Sequence, residues 1–596
     1  MPKAKCVVTN NEAPYTVHSY YPLKAKMKQE GNKKPDTFEA VFPIQSDVDQ
    51  NYQISYIQDV VDTTWLSAVY PMQLSCLDES GYNQDPTDPA ESRFTKVTSG
   101  KFKGHYALQF TADGQKVEVP SAKTNKIDLS GQFDINIFFT PDTTQLQDGS
   151  DEPILWSFRN GVGIDIGITG TNGNNSSWKV FLRVDKGSLI DTYTGATNGL
   201  IMTGAPVHIR VKRDSDNLLK AFVNGVEDIS QSITQSLQPS GTAMVFGDTE
   251  DSTDDEYKGL IHEIKVYCGN TLSDMDATRV WTTKAISQYM KFNGKIRKLE
   301  SNQTNKKALC QSNSYEITTY KLGDISSSNP ALFPLSSTSF KTIAQSALDE
   351  ASSGTFTVRH LDTFSHQQEV YALGGNIYEI GSVVEFINIL LTYSECVMYF
   401  TPRKNVIIES NAGHATDNIF DQNNPTQGCN IRSSESNDIK LVTQVVIAGR
   451  TSNVERKITP HDGVTRTLRR NVRQLGGGTT DHDIYELAQK SVELLSGKFG
   501  GLYGVPFPKY VVQSITPIHH IRYNNIVTVK RKNGNNSNVT GVTNKDLNTT
   551  LIVRQVEWNY PSGKTVINLG ENDIDFYDSS IVETKRTEEL VDAGQN

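Results

Sequence analysis

The nine residues Asp248–Glu256, DTEDSTDDE, hold six carboxylates, and hard cations favour such oxygen clusters. The spacing is not that of an EF-hand loop, which needs a central glycine and a glutamate at position twelve. The segment therefore reads as a solvated acidic loop. A structural calcium is the one ion it would suit, with Asp248, Asp251 and Asp254 as candidate contact residues. Glycoside hydrolysis needs two carboxylates facing one cleft. The strand-like Gly163–Gly167 supplies only Asp165, because its neighbours of the same parity are Gly163 and Gly167. His519-His520 has no carboxylate nearby in sequence, and no Gly-x-Ser-x-Gly, His-Glu-x-x-His or phosphate-loop pattern occurs. Six cysteines are scattered without a Cys-x-x-Cys pair and read as buried thiols. Trp178 and Tyr193 read as core residues, since aromatics on strands mostly pack inward, with the alternative that they are candidate stacking platforms for a sugar ring. No catalytic residue and no cofactor is expected.

The elements that would position these residues are strands. Glu256–Tyr267, EYKGLIHEIKVY, alternates Leu260, Ile261, Ile264 and Val266 with polar partners, as a strand does when one face is buried. Before it come HYALQF at 105–110, 117–119, 133–139, 154–158, 163–168, 178–184, 207–212, 220–223 and 243–246, separated by turn residues. Short strands at this spacing predict an all-β sandwich. At 596 residues the chain is long enough for about four domains. Its formal net charge of −10 argues against dedicated nucleic-acid binding. No run approaches the ~20 apolar residues of a membrane span. The N-terminal MPKAKCVVTNNEAPYTVHSYY lacks the apolar core of a secretory signal, so assembly in a cytoplasm is expected.

The strand order over roughly 95–283, closed by the Gly269-Asn270 turn and Leu272-Ser273-Asp274, resembles a laminin-G or concanavalin-like jelly roll. The resemblance implies a binding fold. Many such domains hold calcium through an aspartate in the final strand, where His262 stands here.

The flanks predict further units. Residues 37–43, 53–59 and 65–69 before the jelly roll, with MKFNGKIRKL (strand, turn, strand), 308–311 and a polar strand at 314–320 after it, are too few on either side to close a barrel but suffice together. Insertion into a loop costs little when the guest's ends lie close together. The expected fold is mainly β: a discontinuous β-barrel with an inserted jelly-roll sandwich, a small α/β middle domain and a second β-barrel. The expected boundaries are 1–90 and 285–325 for the first barrel, 91–284 for the jelly roll, 326–435 for the middle domain and 436–577 for the second barrel. Residues 578–596 form an acidic tail. The middle domain is expected to contain helices at 339–351 and 382–393, a hairpin at 396–409 and a polar loop at 411–436. A capped helix is expected over 483–497.

This order resembles the baseplate hub and tail-tip proteins of tailed viruses. Phe292-Asn293-Gly294-Lys295-Ile296 is similar to the F-x-G-x-I turn of the first hub barrel. Ile484–Leu495, Ile515–Pro517 and Ile526–Val529, then Ile552–Trp558 and Thr565–Gly570, are similar to the later motifs. Asn524-Asn525 stands where that family often has Gly-Asp, a substitution that still suits a turn. The resemblance implies a homotrimeric ring at the end of the tail tube, in contact with the tube and other baseplate proteins. The genome would pass through without specific binding. It implies location in the virion tail, no membrane insertion, and a lateral lectin-like domain for host-surface glycans or neighbouring proteins. The alternative is a non-viral carbohydrate-binding adhesin whose jelly roll is the ligand-binding domain.

Overall fold

The computed structural model describes residues 4–320 and 340–570 apart from 11–15, 31–34, 143–151, 171–176, 250–255, 283–288, 353–354, 361–382, 384–386, 388–390, 392–395, 411–412, 425–427, 435–443, 449–452, 458–466, 472–497, 500–501, 504–508, 516–517, 519–520, 532–546 and the single positions 60, 99, 113 and 203. The chain is mainly β. It opens with β1 (Ala4–Thr9), β2 (Val17–Tyr20), β3 (Lys24–Glu30), β4 (Thr37–Pro43) and β5 (Gln53–Gln58). The next strands are β6 (Leu66–Tyr70), β7 (Phe94–Lys96), β8 (Tyr106–Phe110), β9 (Val117–Val119), β10 (Phe133–Pro141), β11 (Ile154–Arg159) and β12 (Gly163–Thr169). They are followed by β13 (Lys179–Asp185), β14 (Ile190–Thr194), β15 (Val207–Arg213), β16 (Leu218–Val223), β17 (Val226–Ser232), β18 (Met244–Phe246) and β19 (Gly259–Cys268).

Helix α1 (Asp274–Thr282) leads to β20 (Met290–Ser301), β21 (Asn305–Ser312), α2 (Tyr315–Thr319) and α3 (Phe340–Ser352). Then come β22 (Thr357–His360), β23 (Cys396–Phe400), β24 (Asn405–Ser410), β25 (His414–Asp421), β26 (Cys429–Ser434), β27 (Gln444–Ala448), β28 (Asn453–Lys457) and β29 (Thr467–Asn471). The last are β30 (Lys498–Phe499), β31 (Leu502–Tyr503), β32 (Lys509–Ser514), β33 (Asn525–Arg531), β34 (Leu547–Tyr560) and β35 (Thr565–Gly570).

One large sheet forms the framework, in the order β2-β1-β5-β20-β21-β4-β3-β34-β35-β32-β26, with β33 and β25 joined through β34. Strand β5 pairs with β20 although the whole sandwich lies between them in sequence. Alternation drives this. Cys6, Val8, Ile54, Tyr56, Phe292 and Ile296 point into one core, and their neighbours point away. No closed barrel is found among the described residues. The strands expected in two barrels run instead in one sheet, because β3 pairs with β34 rather than with β2. The F-x-G-x-I segment is not a turn either. It lies inside the continuous strand β20, where a side chain at Gly294 would meet the Gln311 carbonyl at 2.1 Å. The polar strand expected at 314–320 is helix α2, which buries Ile317 and sends Glu316 to Lys295 at 3.0 Å.

The sandwich consists of a sheet ordered β17-β16-β15-β10-β19-β8-β7, with β6 paired to β19, and a second ordered β14-β13-β12-β11-β18-β9. Ile135, Ile137, Ile164, Ile166, Leu182 and Val211 meet between the two. Ala68, Tyr70 and Met72 of the β6 region join this core, so a strand from the first ninety residues belongs to the sandwich sheet. The outer face of the β10–β19 sheet is covered. Phe138 and Tyr267 pack with Val7, Ile57 and Tyr289 of the framework side, while Lys265 bonds to Asp59 at 3.2 Å.

Beyond the framework, α3 packs by β22, which pairs parallel to β24, and β24 pairs antiparallel with β23. The helix expected at 339–351 and the hairpin at 396–409 match these elements. Within 382–393, Val383, Ile387 and Leu391 are helical and buried. The loop expected at 411–436 contains β25 and β26, which pair with β33 and β32 of the large sheet. The helix expected at 483–497 lies outside the described residues.

Candidate functional site

With one sandwich face packed on the framework, the outer face of the six-stranded sheet is the other surface on which strands can present side chains. Register sets what it presents. Ile164, Ile166 and Ile168 of β12 enter the core, so Gly163, Asp165 and Gly167 face outward. Across the strands, Ile190, Asp185, Gly163 and Arg159 form one row. Thr192, Arg183, Asp165 and Ser157 form the next. In a third row, Gly167 lies under the Phe181 ring, which a Cβ there would meet at 2.6 Å.

The two polar rows are tied together by charge. Asp165 is fully buried and accepts from Ser157 Oγ and from Arg159 Nε, both at 2.7 Å. Arg183 Nη1 lies 3.6 Å from the same carboxylate, and its Nη2 donates to Glu152 at 2.9 Å. Arg159 Nη1 reaches Asp185 at 3.5 Å, across the space that Gly163 leaves open. Burial pushes the Asp165 carboxyl above its ordinary value, and Arg159, Ser157 and Arg183 act against that rise. At the hairpin end, on the core-side parity of the edge strand and so apart from these rows, Lys186 bonds Asp191 at 2.5 Å, and Tyr193 donates its hydroxyl to Asp191 at 3.0 Å. That contact holds the Asp191 carboxyl low and the Lys186 ammonium high. Ile190 stands half exposed beside Asp185. The result is a fixed array of charged donors and acceptors with an apolar edge, suited to pairing with hydroxyl groups.

The residues singled out in the sequence are distributed differently. Trp178 is completely buried in the sandwich core, packed where a Cβ on Gly170 would meet its ring at 2.7 Å. A stacking platform needs an exposed ring face, so Trp178 is a core residue. Tyr193 is half-buried on the edge strand β14, packed against the core by its ring and joined to Lys186 and Asp191 by its hydroxyl. Asp248 is buried just after β18 and accepts from the Thr249 amide at 2.7 Å. Asp251, Asp254 and His519-His520 lie outside the described residues. His262 is buried, bonded to Thr140 Oγ1 at 2.8 Å, with its ring tilted by 30° against Phe102. Among the described residues no three His, Cys, Asp or Glu side chains gather as a metal centre would require.

Arg159, Arg183, Asp185 and Glu152 were not legible as a site. The alternation Val180, Leu182, Val184 does put Arg183 and Asp185 outward. Only the pairing of β11, β12 and β13 brings them to Asp165.

Residues 111–275 match the family model described as the concanavalin A-like lectin/glucanases superfamily. No curated protein matches the chain in sequence. Similar solved structures include domain 4 of AbnA, a GH43 extracellular arabinanase from Geobacillus stearothermophilus, in complex with arabinotriose. It is 17% identical, covers 36% of this chain and 98% of its own, and has a TM-score of 0.27. The Ruminococcus gnavus IT-sialidase CBM40 bound to alpha2,3 sialyllactose is 17% identical over 29% of this chain and 95% of its own, with a TM-score of 0.24. The ligand binding domain of botulinum neurotoxin serotype D, solved with N-acetylneuraminic acid, is 15% identical over 34% of this chain, with a TM-score of 0.27. This chain spans about half (47%) of that domain's length. The sandwich is a concanavalin-like jelly-roll domain set within a larger β framework.

Proposed function

We propose that the outer face of the six-stranded sheet binds a carbohydrate, and that the framework serves to present it. The observation that carries this reading is the placement of Arg159 and Arg183, 12% and 17% exposed, around buried Asp165 on the sandwich face turned away from the framework. A sugar hydroxyl both donates and accepts. Guanidiniums and carboxylates on adjacent strands offer both roles as charge-assisted bonds. The match of 111–275 to the lectin and glucanase model supports the same class of ligand. Binding is favoured over hydrolysis because Asp165 already accepts from Ser157 and Arg159, whereas hydrolysis uses a free acid and a second carboxylate in step with it. A glycan array probed with the full chain and with Arg183→Ala tests this. Wild-type capture that falls about tenfold in the variant supports the site. Undiminished capture by the variant removes it.

The framework carries a second reading, a homotrimeric viral tail hub in contact with the tail tube and baseplate proteins. It is favoured by the nesting of the jelly roll between the paired β5 and β20, and by the junction of the N- and C-terminal strand sets through β3 and β34. A virion-tail location and host glycans as the jelly roll's ligands belong to the same proposal. Electron-microscope class averages of the purified protein decide it. Threefold rings with peripheral lobes support the hub, and elongated monomers leave the adhesin reading.

A further inference from the structure

A second cleft lies away from the sandwich face. Its floor is the outward side of β1, β5 and β20, where register sets Thr9 by Gln53 and Lys295, and Val7 by Ser55 and Asn293. The opposite side of these strands is the framework core, so the floor is held rigidly. Its walls are Gly81, Asn83, Asp85 and Asp88 on one side and Ser352 and Thr355 to Thr357 with 403–405 on the other. The walls are joined by Arg403, which donates to Asn83 Oδ1 at 2.8 Å and pairs with Asp85. The cleft, open to solvent on one side, measures about 690 Å³, within the range of small-molecule sites.

We propose that this cleft is a second binding site, for a neutral, hydroxyl-rich saccharide. Its floor is an amide array. Gln53 Nε2 donates to Asn293 Oδ1 at 2.8 Å and to Asn313 Oδ1 at 3.2 Å, and Ser55 Oγ approaches Asn293 Oδ1 at 3.4 Å. These bonds orient the amides while leaving Gln53 Oε1 as an acceptor and Asn293 Nδ2 as a donor. The chain of amides ends at Asn313 Nδ2, a buried donor with no protein partner. Amides pair with hydroxyls in both senses, which suits a sugar. A peptide strand would need a free sheet edge for its backbone, and β5 and β20 are interior strands of the sheet. Asp85, Asp88 and Glu316 line the same cleft with Lys295, Arg403 and Lys404, and the pairs Asp85–Arg403, Asp88–Arg359 and Glu316–Lys295 leave little of the cationic surface that a nucleic-acid backbone requires.

The test is a combined array of neutral oligosaccharides and peptides, read with the full chain, with Asn293→Leu, with Gln53→Ala and with Arg183→Ala. Thermal melts confirm that each variant folds. The proposal holds where neutral glycans captured by the wild type fall about tenfold in both cleft variants and persist in Arg183→Ala. It is overturned if no neutral glycan is captured, if every captured glycan depends on Arg183 alone, or if only peptides are lost with Asn293. Glycans that depend on Arg183 but not on Asn293 report on the sandwich face separately.

Discussion

Lys265 Nζ lies 3.2 Å from Asp59 Oδ2, a buried ion pair between residues 206 apart in the chain. Glu263 Oε1 sits 3.5 Å from the same ammonium, and Tyr289 donates its hydroxyl to Glu263 at 2.5 Å. The ammonium also lies 4.2 Å from the centre of the Tyr289 ring. Burial acts to lower the Lys265 pKa, but Asp59 and Glu263 outweigh it and hold the group charged. The sandwich is thus fastened to the framework through a network rather than hung on a linker. Removing the cation leaves two buried carboxylates facing each other. Lys265→Met is expected to lower stability by about 3–5 kcal/mol in denaturant unfolding. A cost under about 1 kcal/mol would mean that the pair does not fasten the two bodies.

Acid should loosen the sandwich through His262. Burial, and secondarily Lys101, lowers its pKa from the usual 6.5 to about 3, so the ring is neutral in the folded state. Between those values the unfolded chain binds the proton and the native chain does not. The stability contribution is therefore complete above pH 6.5 and is lost as pH falls toward 3. The expected loss is on the order of 4 kcal/mol across that window. His208, also pushed well down by burial, adds to it in the same direction. Thermal melts from pH 7 to 4 should show a shallower decline in His262→Gln than in the wild type, and parallel declines would exclude this cause.

The role of Trp178 separates packing from recognition. Trp178→Ala removes a fully buried indole and should cost about 3–5 kcal/mol. Glycan capture by the protein that remains folded should be unchanged. Selective loss of capture at wild-type stability would return Trp178 to the ligand site.

Arg359 pairs with Asp88, as Arg403 does with Asp85. Both carboxylates also receive backbone amides, Cys76 to Asp88 at 2.9 Å and Asp78 to Asp85 at 3.0 Å. The double variant Arg359→Gln, Arg403→Gln is expected to cost about 1–3 kcal/mol and to speed hydrogen exchange in residues 76–88. Unchanged exchange there would show that the segment is ordered without its arginines.

Much of this protein was written into local pattern. Alternation marked the strands of the sandwich, from Ile164, Ile166 and Ile168 to the residues on both sides of Gly259, because side-chain parity depends only on neighbours in sequence. Helix α3 was equally legible from the spacing of Ile343, Ala344, Ala347 and Leu348. Asn524 suited a turn on chemical grounds, and it adopts φ +64° with its amide on Glu409 Oε1 at 2.6 Å. What the tertiary structure alone decided was register and partner choice. Gly294 reads as a turn signal, but it is there because the Gln311 carbonyl on β21 passes too close for a side chain. Trp178 reads as either a core residue or a stacking platform until its strand's inner face is known. Asp165 reads as a lone carboxylate until β11 and β13 align Arg159 and Arg183 beside it. Pairing between strands distant in sequence is set by the packing of the whole core, and no single segment contains that information.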